Sequence, residues 1–337
     1  MNEGLILAGD IGGTNTRLAI FPAHSTLQSR VFIEKYESDS ATSLGQLVDH
    51  FCRDHDIALS ALMAASFAIA GPVVKNQVEV TNLPWMVSGA ALSDSLGGIP
   101  VELINDLVGL SNYIPALQAD QQVILNRGEA IPGAAKAVIA PGTGLGEAFL
   151  IWDGAQYRPQ PSEGGHASFS PVNPRQVDLL EYMLPKYGHV SMEHVCSGLG
   201  IPDLFAFLAE TGAYDIPDDW VDRLEDSDDQ TRRIVEAAMR PDPIPICRET
   251  LLLFIEILGT EAGNLGLKIL AYGGLYLGGG IPPRILPLLE EHFMASYRAK
   301  GRFEDVVQQF PVYVVTHENP NLYGAARWAL ALIDSQE

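Results

Sequence analysis

Two short segments of this chain combine glycines with small polar side chains as phosphate binding requires. Asp10-Ile11-Gly12-Gly13-Thr14-Asn15 sets a carboxylate at the end of an apolar run, then two residues without a Cβ and two short polar ones. Glycine tolerates positive φ and lets backbone N–H groups come close to an anion. A tight β-hairpin uses the same residues for its own geometry, so this segment alone supports either reading. Gly142-Thr143-Gly144-Leu145-Gly146 repeats the chemistry with a threonine hydroxyl in reach of a phosphate oxygen, and the recurrence favours nucleotide binding. Two standard loops are excluded. No Gly-Lys dipeptide occurs, so there is no P-loop. The second segment reads G-x-G-x-G and leads into a strand, which is not the dinucleotide fingerprint.

Two further groups could handle a polyhydroxy ligand. Asn105-Asp106 ends an apolar run, where open α/β sheets present ligand-binding residues, although Asp106 also suits the N-cap of the helix after it. In Ser162-Glu163-Gly164-Gly165-His166 the two glycines oppose a stable helix, so the acid and the histidine fit a loop rather than a helical metal motif. Gly188 to His194 adds Glu193, in a segment where Ser191 or a neighbour suits a capping box. HExxH, GxSxG and CxxC are all missing.

These residues need elements to hold them. Leu5 to Ala8 and Arg17 to Phe21 read as strands around the first glycine segment, and Ala137 to Ala140 and Ala148 to Trp152 as strands around the second. Two such units suggest a duplicated architecture with a cleft between its halves. Further strands are expected at Val31 to Tyr36, Leu62 to Ile69, Val101 to Ile104, Tyr272 to Leu277 and Pro311 to Thr316. Helices are expected at Leu44 to His55, after Asp106 as far as Tyr113-Ile114-Pro115, from Arg248 to about Leu270, and from Leu322 to Ile333.

With 337 residues, 47% hydrophobic and 19% charged, the chain is an ordinary globular protein long enough for two domains. Its net charge of −21 repels nucleic acid and anionic membranes. Cys52, Cys196 and Cys247 are too dispersed for a disulfide framework or a metal cluster, so a reducing compartment is expected. No basic leader precedes the first strand. The best apolar run, Leu251 to Leu258, is broken by Glu256 and falls short of the roughly 18–20 residues a bilayer span needs. A cytoplasmic protein is the expectation.

Taken in order, the motifs resemble the bacterial glucokinase family, the ATP-dependent group within the actin-like, hexokinase-type sugar kinases. The resemblance runs through Gly9 to Asn15, Thr81-Asn82-Leu83-Pro84-Trp85, Ile104-Asn105-Asp106, Gly142 to Gly146 and Glu163 to His166. It continues through Gly188 to Glu193 with Ser197-Gly198, Gly273-Gly274 to Ile281, and His317-Glu318-Asn319-Pro320. It implies an actin-like (ribonuclease H-like) ATPase fold with two α/β domains around a cleft, residues 1–116 with 317–337 and residues 117–316, in a homodimer. It also implies that the last helix returns to the N-terminal domain.

By the same resemblance Asn105, Asp106, Glu163, His166 and Glu193 bind the sugar, and Asp106 is the catalytic base. Gly12, Gly13, Thr14, Asn15, Gly142, Thr143 and Gly144 hold the phosphates of ATP. Gly279 and Gly280 lie near the adenosine, and Asp10 holds Mg²⁺ through water. The implied activity is phosphorylation of glucose at its 6-hydroxyl, the first step of intracellular glucose use. The alternatives are a kinase for another hexose or an amino sugar, and a non-catalytic actin-like ATP-binding protein. Pro141, the bulk of Leu275-Tyr276-Leu277 and the acidic run Asp215 to Asp229 depart from the family pattern. A zinc cluster and an N-terminal helix-turn-helix, as found in a sibling branch of repressors, are not expected.

Overall fold

The computed structural model describes residues 4–24, 32–80, 83–217 and 219–334. Val31 and the Thr81-Asn82 pair therefore lie outside the described residues. The chain divides into two compact units, Met1–Leu117 with His317–Glu337, and Gln118–Thr316.

The first unit is built on β1 (Leu5–Ile11), β2 (Asn15–Pro22), β3 (Phe32–Glu37) and β4 (Leu62–Ile69). A small two-stranded sheet of β5 (Gln77–Glu79) and β6 (Met86–Ser88) precedes β7 (Val101–Asn105). The main sheet has the order β3-β2-β1-β4-β7, with β1, β4 and β7 parallel and β2 and β3 antiparallel beside them. β1 reads as an unbroken apolar run because both of its faces are covered. Leu7 and Ile11 join Leu47, Val48 and Phe51 of helix Leu44–Asp54 on one side. The other face is lined by smaller residues, Ala8, Ala19, Ala64 and Ala68, against Ala325, Ala326 and Ala329 of helix Pro320–Asp334. That choice lets the last helix come in close. It crosses helix Asp106–Tyr113 at Gly324 and Gly109, where a Cβ on Gly324 would lie 1.7 Å from the Gly109 carbonyl oxygen.

The second unit carries β8 (Gln122–Asn126), β9 (Lys136–Pro141), β10 (Leu145–Trp152), β11 (Tyr157–Ser162), β12 (Leu275–Leu277) and β13 (Val312–Val315), in the order β11-β10-β9-β12-β13-β8. β9, β12 and β13 run parallel. The strand expected from Tyr272 begins only at Leu275, because the chain turns there, with Leu270 and Gly274 both at positive φ. Helix Pro245–Ile269 fills the core beneath this sheet. The expectation that no segment approaches a bilayer span needs correcting here. By length and by a mean hydropathy of 1.3 over its most apolar 18 residues this helix could cross a membrane, yet 78% of that stretch is buried inside the protein. A helix enclosed on every side is apolar all round for that reason alone. The polar stretch from Tyr214 to Arg233 is partly helical, and Trp220 and Leu224 turn inward to the core.

Candidate active site

Both glycine segments are three-residue hairpin turns. Gly12-Gly13-Thr14 joins β1 to β2, and Gly142-Thr143-Gly144 joins β9 to β10, while Asn15 and Gly146 already belong to strands. Gly12, Gly13, Gly142 and Gly144 all lie outside the positive-φ region, which corrects one of the two expected reasons for glycine, the conformational one. What requires it at position 144 is space: a Cβ there would lie 2.3 Å from Oε2 of Glu193.

The turn carbonyls face inward. Ser38 donates its N–H to the Thr14 carbonyl (2.9 Å) and its hydroxyl to the Gly12 carbonyl (2.8 Å). In the second turn the N–H groups of Gly198 and Leu199 donate to the carbonyls of Gly142 (2.8 Å) and Thr143 (3.1 Å). Among the described residues the N–H groups of Gly13, Thr14, Thr143 and Gly144 donate to no protein acceptor. Backbone donors left free in a turn whose carbonyls are tied back form an anion-binding surface. Gly279 and Gly280 follow β12, and the N–H groups flanking them, on Gly278 and Ile281, bond to the carbonyls of Ile139 (2.9 Å) and Pro141 (3.3 Å). That seats them beside the end of β9.

In the first unit the C-terminal ends of the parallel strands bring Asp10, Asn105 and Asp106 to one edge of the sheet. The N-cap of helix Asp106–Tyr113 is Asn105, whose Oδ1 accepts from Leu107 N–H (2.9 Å) while its Nδ2 donates to the Gly71 carbonyl (3.0 Å). Asp106 is the first helical residue, and its Oδ1 also accepts from Leu107 N–H (2.8 Å). The cap reading therefore belongs to the neighbour, which also bonds backward to Gly71. Burial pushes the Asp106 carboxyl above the usual carboxylate range, with hydrogen bonds from Leu107, its own N–H and Asn105 pulling it partly back. Asp10 is pushed up to about 6, first by burial, with Arg17 (3.5 Å) and Asn321 (3.4 Å) pulling it back and Asp106 adding repulsion.

Among the described residues no cluster of three or more His, Cys, Asp or Glu could hold a metal ion. Asp10 nevertheless suits Mg²⁺. This hard cation keeps several waters and binds through one or two carboxylates plus substrate phosphates. A buried carboxylate beside a second acid gains from such a partner.

In the second unit Glu163 and His166 flank a single 3₁₀ turn, Gly164–His166. The side chain of Glu163 is 85% exposed and that of His166 64%, at 3.9 Å from each other. The turn leaves both side chains on an open face, available to a ligand. Glu193 belongs to the short helix Met192–Val195, which Ser191 caps in a box closed by His194 rather than by an acid. Its Oε2 accepts from Leu145 N–H (2.9 Å) beneath the second glycine turn. Met192 N–H donates to the Ala167 carbonyl (2.8 Å), which fastens this segment to the Glu163–His166 turn.

Three participants were missed. Arg17 was within reach, since a three-residue turn after Ile11 pairs Asp10 with Arg17 across the hairpin. Ser38 and Asn321 carry no local signal, because each meets its partner only through the fold.

Solved structures with the same architecture define the class. A glucokinase from an Antarctic psychrotroph superposes with a TM-score of 0.80 at 31% identity, covering 96% of this chain and 98% of that one. A hexokinase of the ROK family from Thermus thermophilus shares the fold alone, with a TM-score of 0.65 at 16% identity over 99% and 100% of the two chains. The fold is that of the actin-like ATPases that include hexose kinases. The family model described as Glucokinase matches residues 7–332. The glucokinase of Nostoc sp. is 38% identical over 342 residues, 97% of this chain and 99% of that protein. The glucokinase of Photorhabdus laumondii is 35% identical over 332 residues, 97% and 98%. The chain belongs to the glucokinase family.

Proposed function

We propose that this protein is an ATP-dependent glucokinase that transfers the γ-phosphoryl group of ATP to the 6-hydroxyl of glucose. The single observation that carries the mechanism is Asp106, a half-buried carboxyl at the end of the parallel strands whose proton affinity burial raises above that of an ordinary carboxylate. A base is most effective when its affinity for a proton lies nearer the working pH than that of an ordinary carboxylate. Asp106 takes the hydroxyl proton as the sugar oxygen bonds to the γ-phosphorus, and the bond to the β-phosphate oxygen breaks to leave ADP. A loose phosphoryl-transfer transition state needs positioning and charge stabilisation more than covalent help. The free N–H groups of the two glycine turns supply both to the phosphate oxygens. Asp10, acting through water, would hold Mg²⁺, whose charge neutralises phosphate oxygens when bound. Asn105, Glu163, His166 and Glu193 hold the sugar by its other hydroxyls, and Gly279 and Gly280 lie along the adenosine.

Two relatives of the same fold support this ligand pair. A glucokinase from Balamuthia mandrillaris was solved with glucose, and a ROK family glucokinase from Streptomyces griseus with glucose and AMPPNP. In the cell the protein works in the cytoplasm as a homodimer and begins glucose use in glycolysis. ADP release from MgATP, measured with no sugar, with glucose and with a panel of other hexoses and amino sugars, tests the reading. Release that depends on glucose and is fastest with it is expected. Release indifferent to sugar, or pelleting of the protein with ATP as a filament, would overturn it.

A further inference from the structure

Glu147 is not among the residues that meet ligands in the proposed reaction, yet it stands directly behind them. It is the third residue of β10 and pairs with Ser162 of β11, just ahead of the Glu163–His166 turn. Only 2% of it is exposed. A Cβ built on Gly164 would lie 2.0 Å from its Oε2, so the carboxyl packs against the bare Cα of the turn. Its Oε1 has no hydrogen-bond partner. A buried polar atom left unpaired carries a large desolvation penalty, so a residue kept in that state needs a reason.

We infer that Glu147 is a positioning residue for the hexose-binding turn, its buried carboxyl forming the floor on which Gly164 is seated. The inference rests on the kinase reading above and assigns a role behind the same site. A side chain at position 164 would collide with that carboxyl, so the glycine and the acid fit as a pair.

The floor is sensitive to its proton. Facing Glu147 from helix Pro245–Ile269 is Glu261, itself 4% exposed and engaged with Lys268 (3.2 Å) and Asn264 (3.0 Å). The thiol of Cys196 is buried beside both acids, and Glu163 and His166 look outward from the turn itself. Burial first, and then the like charge of Glu261, pushes the Glu147 carboxyl up to about 7, with Lys268 pulling it partly back. Above that pH the turn rests on an unpaired buried charge that repels Glu261 and draws in water, and the turn loosens.

The test compares the full-length protein with Glu147→Gln and Glu147→Ala, measuring KM for glucose and for ATP at pH 6.0 and pH 8.5. For the parent, KM for glucose is expected to rise about 3- to 10-fold between the two pH values while KM for ATP stays level. Glu147→Gln, a neutral isostere, should hold the low-pH glucose value at both. Glu147→Ala should be weak at both, and the isostere alone decides the matter if the alanine variant fails to fold. A parent KM for glucose that is flat with pH overturns the role of Glu147 and leaves the kinase reading intact. So does a Glu147→Gln variant that drifts as the parent does. A chain that releases no ADP in response to glucose at either pH overturns both.

Discussion

Ser38 backs the first glycine turn with neutral donors, whereas the second turn is held from below by a carboxylate. The two turns have the same length and leave equivalent N–H groups free, so an anion-binding surface does not depend on one particular support. Their surroundings differ in consequence. Ser38 and Thr16, joined by a 3.0 Å hydrogen bond, are buried and do not titrate in any ordinary range. Glu193 joins the second turn to the segment that is bonded through Met192 to the Glu163–His166 turn. The two turns of the second unit, proposed to meet nucleotide and sugar, are thus mechanically linked. The first unit instead keeps its proposed base, Asp106, one residue away from the cap that holds it in place.

The largest effect should come from Asp106→Asn, which removes the proton acceptor while Asn105 continues to cap the helix. General-base removal lowers turnover by about 10²–10⁴, or roughly 3–5 kcal/mol. In steady-state kinetics kcat should fall by that amount, with glucose affinity by calorimetry changed by only a few-fold. Turnover within a few-fold of the parent would leave Asp106 a structural residue.

Next, the linkage in the second unit can be broken at one end or the other. Gly144→Val displaces Glu193 and should raise KM for both ATP and glucose by about tenfold or more. A Cβ at Gly142 meets nothing within 4 Å, so Gly142→Val obstructs only a bound phosphate and should raise KM for ATP alone. Equal effects of the two variants on glucose would show that Glu193 does not couple the turns.

Glu163→Gln should be smaller. It replaces charge-assisted hydrogen bonds to the sugar, each about 1.5–3 kcal/mol, by neutral ones of roughly half that strength, so KM for glucose should rise by roughly tenfold. An exposed side chain contributes little to folding, so thermal stability should not move.

The mildest difference concerns pH and stability. Asp10 and Glu147 are raised to about 6 and about 7, so the folded chain binds more protons than the unfolded one from roughly pH 4 up to those values. Stability therefore falls as pH rises through that window, the reverse of a salt-bridged carboxylate. Melting of Glu147→Gln should match the parent at pH 5 and exceed it by a few degrees at pH 8.5. An identical difference at both pH values would contradict the assigned protonation.

Much of this was readable in the sequence because the signals are local. Apolar runs flanking Gly12-Gly13 and Gly142-Thr143-Gly144 gave the hairpins, and the glycine pair after Glu163 pointed away from an α-helix, where the chain makes a single 3₁₀ turn. The cap was misplaced by one residue because Asn and Asp are equivalent N-caps, and only the bond from Asn105 to Gly71 separates them. The expected positive φ was misread because φ is set by turn geometry, while the decisive contact at Gly144 comes from a residue 49 positions later in the chain. Glu147 looks like one more polar residue in an alternating strand. Its burial arises from the packing of helix Pro245–Ile269 and the Gly164 turn, which no spacing rule reveals. The exposure of Glu163 was likewise hidden, since residue type indicates a ligand contact but not which side of the turn is open.

The proposed kinase activity requires the free N–H groups of the glycine turns to meet nucleotide phosphates. Backbone amide NMR of the full chain, before and after saturation with AMPPNP, Mg²⁺ and glucose, reads those groups individually. The amide signals of Gly13, Thr14, Thr143 and Gly144 should move downfield together and become protected from solvent exchange. If nucleotide saturates the protein while these four amides keep their shifts and exchange rates, the turns are structural hairpins and the phosphates are held elsewhere.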